Sequence, residues 1–221
     1  AIARLVERAR GAELAFVFYA GHGVELDGAN YLLPVDLPRP PISPAGETLL
    51  KGQAIGFDFL LRELAAAGPA TTLVVLDACR ENPFVDARGR TVGGRGGIAD
   101  VQVPEGLFVV YSAGARQLAL DRLAEDDPDP NSVFTRVFLK HLVTPGLSIR
   151  DIVLATRPEV RELARRSAGG PHPQFPAYYD QLERDLVLLP EPPPPRPETA
   201  APALAVRPFA HPPGAARLDR L

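Results

Sequence analysis

Three short runs, LAFVFY (14–19), LVVLD (73–77) and LFVVYS (107–112), are apolar at nearly every position. A strand with one wet face alternates apolar and polar residues. A strand that is apolar throughout is covered on both faces, as when helices pack above and below a mostly parallel sheet. A fourth run, DLVLL (185–189), also reads as a strand. Helical patterns lie around these runs. In FDFLLRELAAAG (57–68), Phe57, Leu60, Leu61 and Leu64 share one face, and Gly68-Pro69 stops the helix. NSVFTRVFLKHLV begins at a capping Asn131 or Ser132, and SIRDIVLATRPEVRELARR opens with a capping-box pair, Ser148 and Asp151. Pro158 inside the latter predicts a kink or break. The opening segment AIARLVERARGA is helix-like. These alternations make the chain an α/β protein.

Two segments read as mobile surface loops: the Gly- and Arg-rich stretch 81–106 and the acidic RLAEDDPDPN (122–131). From residue 190 onward the chain becomes a proline-rich linker or tail, PEPPPPRPETAAPALAVRPFAHPPG, with too little apolar pattern to build a core. The expected organisation is one folded domain over 1–189 and a disordered tail over 190–221, which serves as a tether to a further domain or partner.

At 46% apolar and 23% charged residues, with a net charge of −3, the chain has no general attraction for nucleic acid or membrane surfaces. No apolar run approaches the ~18 residues of a membrane span, and no signal peptide is visible. The absence of methionine, even at the start, reads as a piece cut from a longer chain. The single cysteine excludes an intrachain disulfide and a Cys-rich zinc site, and suits a reducing, cytoplasmic setting.

That cysteine sits where chemistry is expected. In an open α/β sheet, ligands bind beyond the carboxyl ends of the strands. The first run leads into AGHG, setting His22 between Gly21 and Gly23, and the second leads into ACR, setting Cys79 at an equivalent level. If the two strands are parallel neighbours, imidazole and thiol leave the same edge, as a Cys/His dyad requires. The flanking glycines let a substrate approach the backbone, whose N–H groups then face an oxyanion. Taken singly, a lone cysteine at a strand end is more often a small core residue, and Gly-His-Gly also occurs in plain turns. Their joint placement favours catalysis.

The segments FVFYAGHGVELDGANYLLPVD, LVVLDACRENPF, GLFVVYSAGARQLALD and NSVFTRVFLKHL, in this order, resemble the caspase-like peptidase domain of bacterial metacaspase-type proteins. The resemblance spans roughly residues 1–189. It implies a caspase-like three-layer sandwich, a mostly parallel sheet flanked by helices, with the first strands of the domain absent from this chain. It also implies a cysteine endopeptidase acting on proteins or peptides, with His22 as catalytic histidine, Cys79 as nucleophile and the amides of Gly23 and Cys79 as oxyanion hole. The separation of His22 and Cys79, 57 residues, is close to the roughly 50 of the caspase signature.

The resemblance further implies that Asp77, two residues before the cysteine, lines the S1 pocket and selects Arg or Lys at P1, where aspartate-cleaving caspases carry glutamine. A carboxylate at a pocket floor pairs with a guanidinium or ammonium and repels a carboxylate. The alternative is that Asp77 merely caps the following turn. Ser112 and Asp121 are further substrate-binding candidates. Arg88, Arg90 and Arg95 lie in the stretch that relatives cleave on maturation, and are candidate autoprocessing sites. Ala20 stands where many metacaspases have a serine. The chemistry needs no cofactor or metal. The acidic EDDPDP run has the charge to attract calcium, which some metacaspases require, but not the spacing of an EF-hand. The competing reading is a non-proteolytic scaffold of the same fold, against which the intact His22/Cys79 pair argues.

Overall fold

A computed structural model describes residues 2–27, 29–38, 43–78, 104–114 and 117–193. The chain divides into two units, Ala1–Pro190 and Glu191–Leu221, and the elements described below lie in the first.

Four strands form the main sheet: β1 (Leu14–Gly21), β5 (Thr71–Ala78), β6 (Leu107–Tyr111) and β7 (Ala177–Asp180), in the order β1-β5-β6-β7. The first three are parallel and β7 runs antiparallel to β6. A smaller antiparallel sheet is built from β2 (Gly23–Leu26), β3 (Ala29–Leu32) and β4 (Ile55–Gly56). The helices are α1 (Ile2–Ala9), α2 (Pro44–Gln53), α3 (Phe57–Ala67), α4 (Val133–Leu142) and α5 (Ile149–Arg165).

The apolar runs of β5 and β6 are explained by strand alternation between two cores. Val74 and Leu76 of β5, with Leu107, Val109 and Tyr111 of β6, pack on α3 residues Phe57, Leu60, Leu61 and Leu64. Their neighbours Leu73, Val75, Phe108 and Val110 face α4 and α5, meeting Phe134, Phe138, Ile152 and Val153. Helix, sheet and helix thus make three layers, as expected. β1 is the outer strand of the described sheet, and its Phe16 and Phe18 are 42% and 43% exposed.

The helix boundaries follow local chemistry. Gly68 ends α3 in the left-handed region (φ 68°), which glycine adopts without steric cost. Ser132 caps α4 by accepting from the Thr135 amide. Ser148 and Asp151 close the capping box of α5 reciprocally. That helix runs unbroken through Pro158, which is exposed, as is Leu154, whose carbonyl the proline leaves without its helical donor.

Two expectations change. DLVLL makes one isolated bridge, Ser148 to Val187, instead of a sheet strand. Leu186 and Leu188 pack on the α4/α5 core, while the carbonyls of Leu186 and Leu189 accept from the amides of Ile149 and Gly146. The sheet's fourth strand is instead AYYD, after a proline-rich stretch. The acidic segment 122–131 is laced together by its own side chains: Asp127 accepts from the amides of Leu123 and Asp129, and Asp129 from that of Asn131. Among the described residues, no helix is long and apolar enough to cross a membrane.

Candidate active site

The parallel register of β1 and β5 pairs Ala20 with Asp77 and Gly21 with Ala78. His22 therefore follows the same final rung whose β5 member precedes Cys79 in sequence. Cys79 itself lies outside the described residues, as do Arg88, Arg90 and Arg95.

His22 is the one residue between β1 of the main sheet and β2 of the small sheet, so it occupies a corner between them. It is exposed, and its ring has no hydrogen-bond partner among the described residues. Its carbonyl is held twice, by the Leu33 amide (2.9 Å) and by the Tyr19 hydroxyl (2.7 Å). The Tyr19 oxygen accepts from the Leu33 amide (3.1 Å), and the Leu33 carbonyl, at 2.9 Å, is the alternative acceptor for its single proton. Burial raises the Tyr19 phenol above its ordinary value, against a smaller opposite effect of the Leu33 hydrogen bond, so it remains a donor at neutral pH.

The glycines around His22 have separate reasons. A Cβ on Gly21 would lie 2.9 Å from the Tyr19 hydroxyl oxygen, so glycine here admits the tyrosine. Gly23 pairs with Leu32 across the β2·β3 hairpin. The Leu33-to-His22 hydrogen bond spans the residues just outside that pair, which makes it the non-hydrogen-bonded kind. The Gly23 amide is thereby left out of the β2·β3 ladder.

Asp77 lies on the α4 face of β5, only 6% exposed, at the floor of a cleft of about 570 Å³. The walls include Phe18 and Ala20 of β1, the segment Asp121–Ser132 in part, and Thr135. Its Oδ2 accepts from the hydroxyls of Ser132 and Thr135, the latter at 2.5 Å, at the N-terminus of α4. Its Oδ1 has no partner among the described residues. Among the described residues, one oxygen is thus anchored and the other has no partner.

Three more carboxylates line the cleft: Asp121, Asp127 and Asp129. Arg136 neutralises part of that charge, with a bidentate pair to Asp127 (2.8 and 3.2 Å) and a longer contact to Asp129 (3.5 Å). This holds the Asp127 carboxyl down to about 2, helped by the Leu123 amide. Asp121 is exposed and lines the same cleft as Asp77. Ser112 differs from its expected substrate-facing position. It has no exposed surface, and its Oγ has no hydrogen-bond partner among the described residues. By strand alternation it follows Phe108 and Val110 into the core.

Several supporting groups escaped the sequence reading. Tyr19 stands on β1 three residues before His22, while Ser132 and Thr135 are brought to the site by tertiary contact. So is Gln174, which is 1% exposed and holds the Ser112 carbonyl and the Leu120 amide at 3.0 and 3.1 Å. His172 and Gln117 add bonds to the Leu118 carbonyl and the Phe175 amide. Together they brace the segment leading to Asp121. Only Ser132 carried a prior signal, as a helix cap.

The caspase domain model of the peptidase C14 family matches residues 1–187. Among solved structures, the crystal structure of caspase-1 from Spodoptera frugiperda is similar, with a TM-score of 0.53 at 17% identity. That match covers 86% of this chain and 72% of the other, and shows a shared fold. No curated protein matches the chain.

Proposed function

As the chain belongs to the caspase domain family, whose members are cysteine-type peptidases acting on proteins, we propose that it is a metacaspase-type endopeptidase. It cleaves after Arg or Lys through a His22/Cys79 dyad. The observation that carries this reading is Asp77. A nearly buried carboxylate, one oxygen anchored and the other without a partner among the described residues, sits at the floor of an acid-lined cleft on the rung of Ala20, two residues before His22. Such a floor attracts a guanidinium or ammonium and repels an acidic P1 side chain. The exposed carboxylate of Asp121 adds to that field at the cleft wall.

In the mechanism the Cys79 thiolate attacks the scissile carbonyl carbon, and the carbonyl electrons move onto oxygen. The amides of Gly23 and Cys79 hold that oxyanion. As the tetrahedral intermediate collapses, the C–N bond breaks and His22 gives its proton to the leaving amine. A thioester acyl-enzyme remains. Water, deprotonated by His22, attacks it and expels the thiolate, leaving a new carboxylate. Exposure of His22 suits exchange of protons with water between the two halves. The position of the Gly23 amide outside the β2·β3 ladder supports its part in the oxyanion hole. This chemistry requires no cofactor.

In the same reading, Arg88, Arg90 and Arg95 offer the basic P1 residues that such a pocket accepts, so the loop after Cys79 is a substrate for autoprocessing. The proline-rich tail tethers a further domain or partner, and the enzyme works in a reducing, cytoplasmic setting.

The test compares cleavage of fluorogenic peptides carrying Arg, Lys or Asp at P1, with Cys79→Ala as control. Turnover confined to Arg and Lys peptides and abolished in the variant is expected. Preference for Asp peptides would refute the role of Asp77 while leaving the dyad. No turnover of any peptide by a folded protein with an unreactive thiol would favour the non-proteolytic scaffold.

A further inference from the structure

We infer that Tyr19 is a positioning residue for the oxyanion hole, acting through the His22–Gly23 peptide unit; the inference rests on the peptidase reading above. A trans peptide is planar, so its carbonyl and its N–H point in opposite directions. Whatever fixes the His22 carbonyl therefore aims the Gly23 amide. Two donors fix it: the Leu33 amide at 2.9 Å and the Tyr19 hydroxyl at 2.7 Å.

The tyrosine is in turn held against rotation. With its one proton given to the His22 carbonyl, its oxygen accepts from the Leu33 amide across the hairpin at 3.1 Å, and its ring packs on the α3-side core. The Leu33 amide holds the His22–Gly23 peptide from the hairpin side, and the phenol adds a second restraint from the end of β1. Gly21 completes the device, because any Cβ there would meet the hydroxyl oxygen at 2.9 Å and the ring carbon Cζ at 3.1 Å. The Tyr-Ala-Gly-His-Gly run thus needs its first glycine for the tyrosine. The second leaves its amide outside the hairpin ladder.

An oxyanion donor acts where negative charge develops, so a misdirected Gly23 amide raises the barrier without weakening ground-state binding. Alkylation of the thiol develops no carbonyl oxyanion, so it is insensitive to that donor. These two properties separate Tyr19 from a residue that merely stabilises the fold or orients the imidazole.

The experiment uses the whole chain and the variants Tyr19→Phe, Gly21→Ala, the pair together, and His22→Ala. It measures kcat and KM on an Arg peptide, inhibition by a peptide aldehyde ending in Arg, and the pH profile of iodoacetamide alkylation of Cys79. The aldehyde forms a tetrahedral adduct whose oxygen occupies the oxyanion site. For Tyr19→Phe we expect kcat to fall by about 10- to 100-fold with KM unchanged. Aldehyde affinity should fall in parallel, with an unshifted alkylation profile. Gly21→Ala should show the same pattern, yet add less than about threefold in the Tyr19→Phe background. His22→Ala should shift the alkylation profile.

An unchanged kcat in Tyr19→Phe overturns the inference. So does a loss of kcat with undiminished aldehyde affinity, or one matched by a shifted alkylation profile. In each of those cases an active wild-type enzyme leaves the peptidase reading standing. A wild-type chain without turnover and with an inert thiol sinks both.

Discussion

The hydroxyl of Ser132 donates to the Asp77 carboxylate while accepting from the Thr135 amide, so one side chain caps α4 and anchors the acid at the cleft floor. Ser132→Ala removes both bonds. We expect it to lower stability by about 1–3 kcal/mol, the sum of a lost cap and a weakened carboxylate anchor. Urea unfolding measures the loss. KM for an Arg peptide should rise in the same variant.

Asp77→Asn keeps the shape of the side chain and removes its charge. If the free Oδ1 receives the P1 cation, kcat/KM on Arg and Lys peptides should fall by about 100-fold or more. Alkylation of Cys79 should continue at the wild-type rate, because the proposed His22/Cys79 dyad is untouched. An unchanged kcat/KM would reduce Asp77 to a helix-anchoring role.

The Asp127–Arg136 pair makes stability depend on acid. The folded-state carboxyl lies near 2, below the unfolded value of 3.8, chiefly through the Arg136 hydrogen bonds. Its contribution is complete above the unfolded value and is lost as pH falls through the folded one. Arg136→Gln should therefore be destabilised relative to wild type at about pH 6, and the gap should close toward about pH 2. Denaturant midpoints at several pH values test this.

Arg157 stacks on Phe175 at 4.2 Å and approaches Tyr178 at 5.7 Å, while its buried Nε has no hydrogen-bond partner among the described residues. The stack stabilises and the unpaired donor costs. Arg157→Met keeps the apolar contact and removes the donor, so its stability should stay within about 1 kcal/mol of wild type. Arg157→Ala removes both and should cost about 1–3 kcal/mol. Thermal unfolding of the two variants distinguishes them.

The strands β5 and β6 were legible because they are covered on both faces, and β1 because it is apolar throughout, although its Phe16 and Phe18 are exposed. Burial above and below makes LVVLD and LFVVYS apolar at every position that meets a helix, and such runs stand out in a sequence. The caps Ser132 and Ser148 and the stop at Gly68 are equally local, since their partners lie within one helical turn. The motif ends at His22 and before Cys79 followed from those strands. By contrast, AYYD is a four-residue edge strand behind prolines, and its pairing with β6 supplies the hydrogen bonds that its composition does not announce. DLVLL has strand composition, but its leucines serve a helix-facing core and its backbone binds the loop before α5.

What the chain order by itself determined was which residues stand at the strand ends: His22, Asp77 and the cysteine after Ala78. Tertiary structure alone decided what surrounds them. Ser132 and Thr135 lie 55 and 58 residues from Asp77, and Leu33 lies 14 from Tyr19. No periodicity encodes such pairings, because periodicity records only which way a side chain faces its own element. Hydrogen bonds between elements depend on register and on helix placement. Those are set when the two cores close around the sheet.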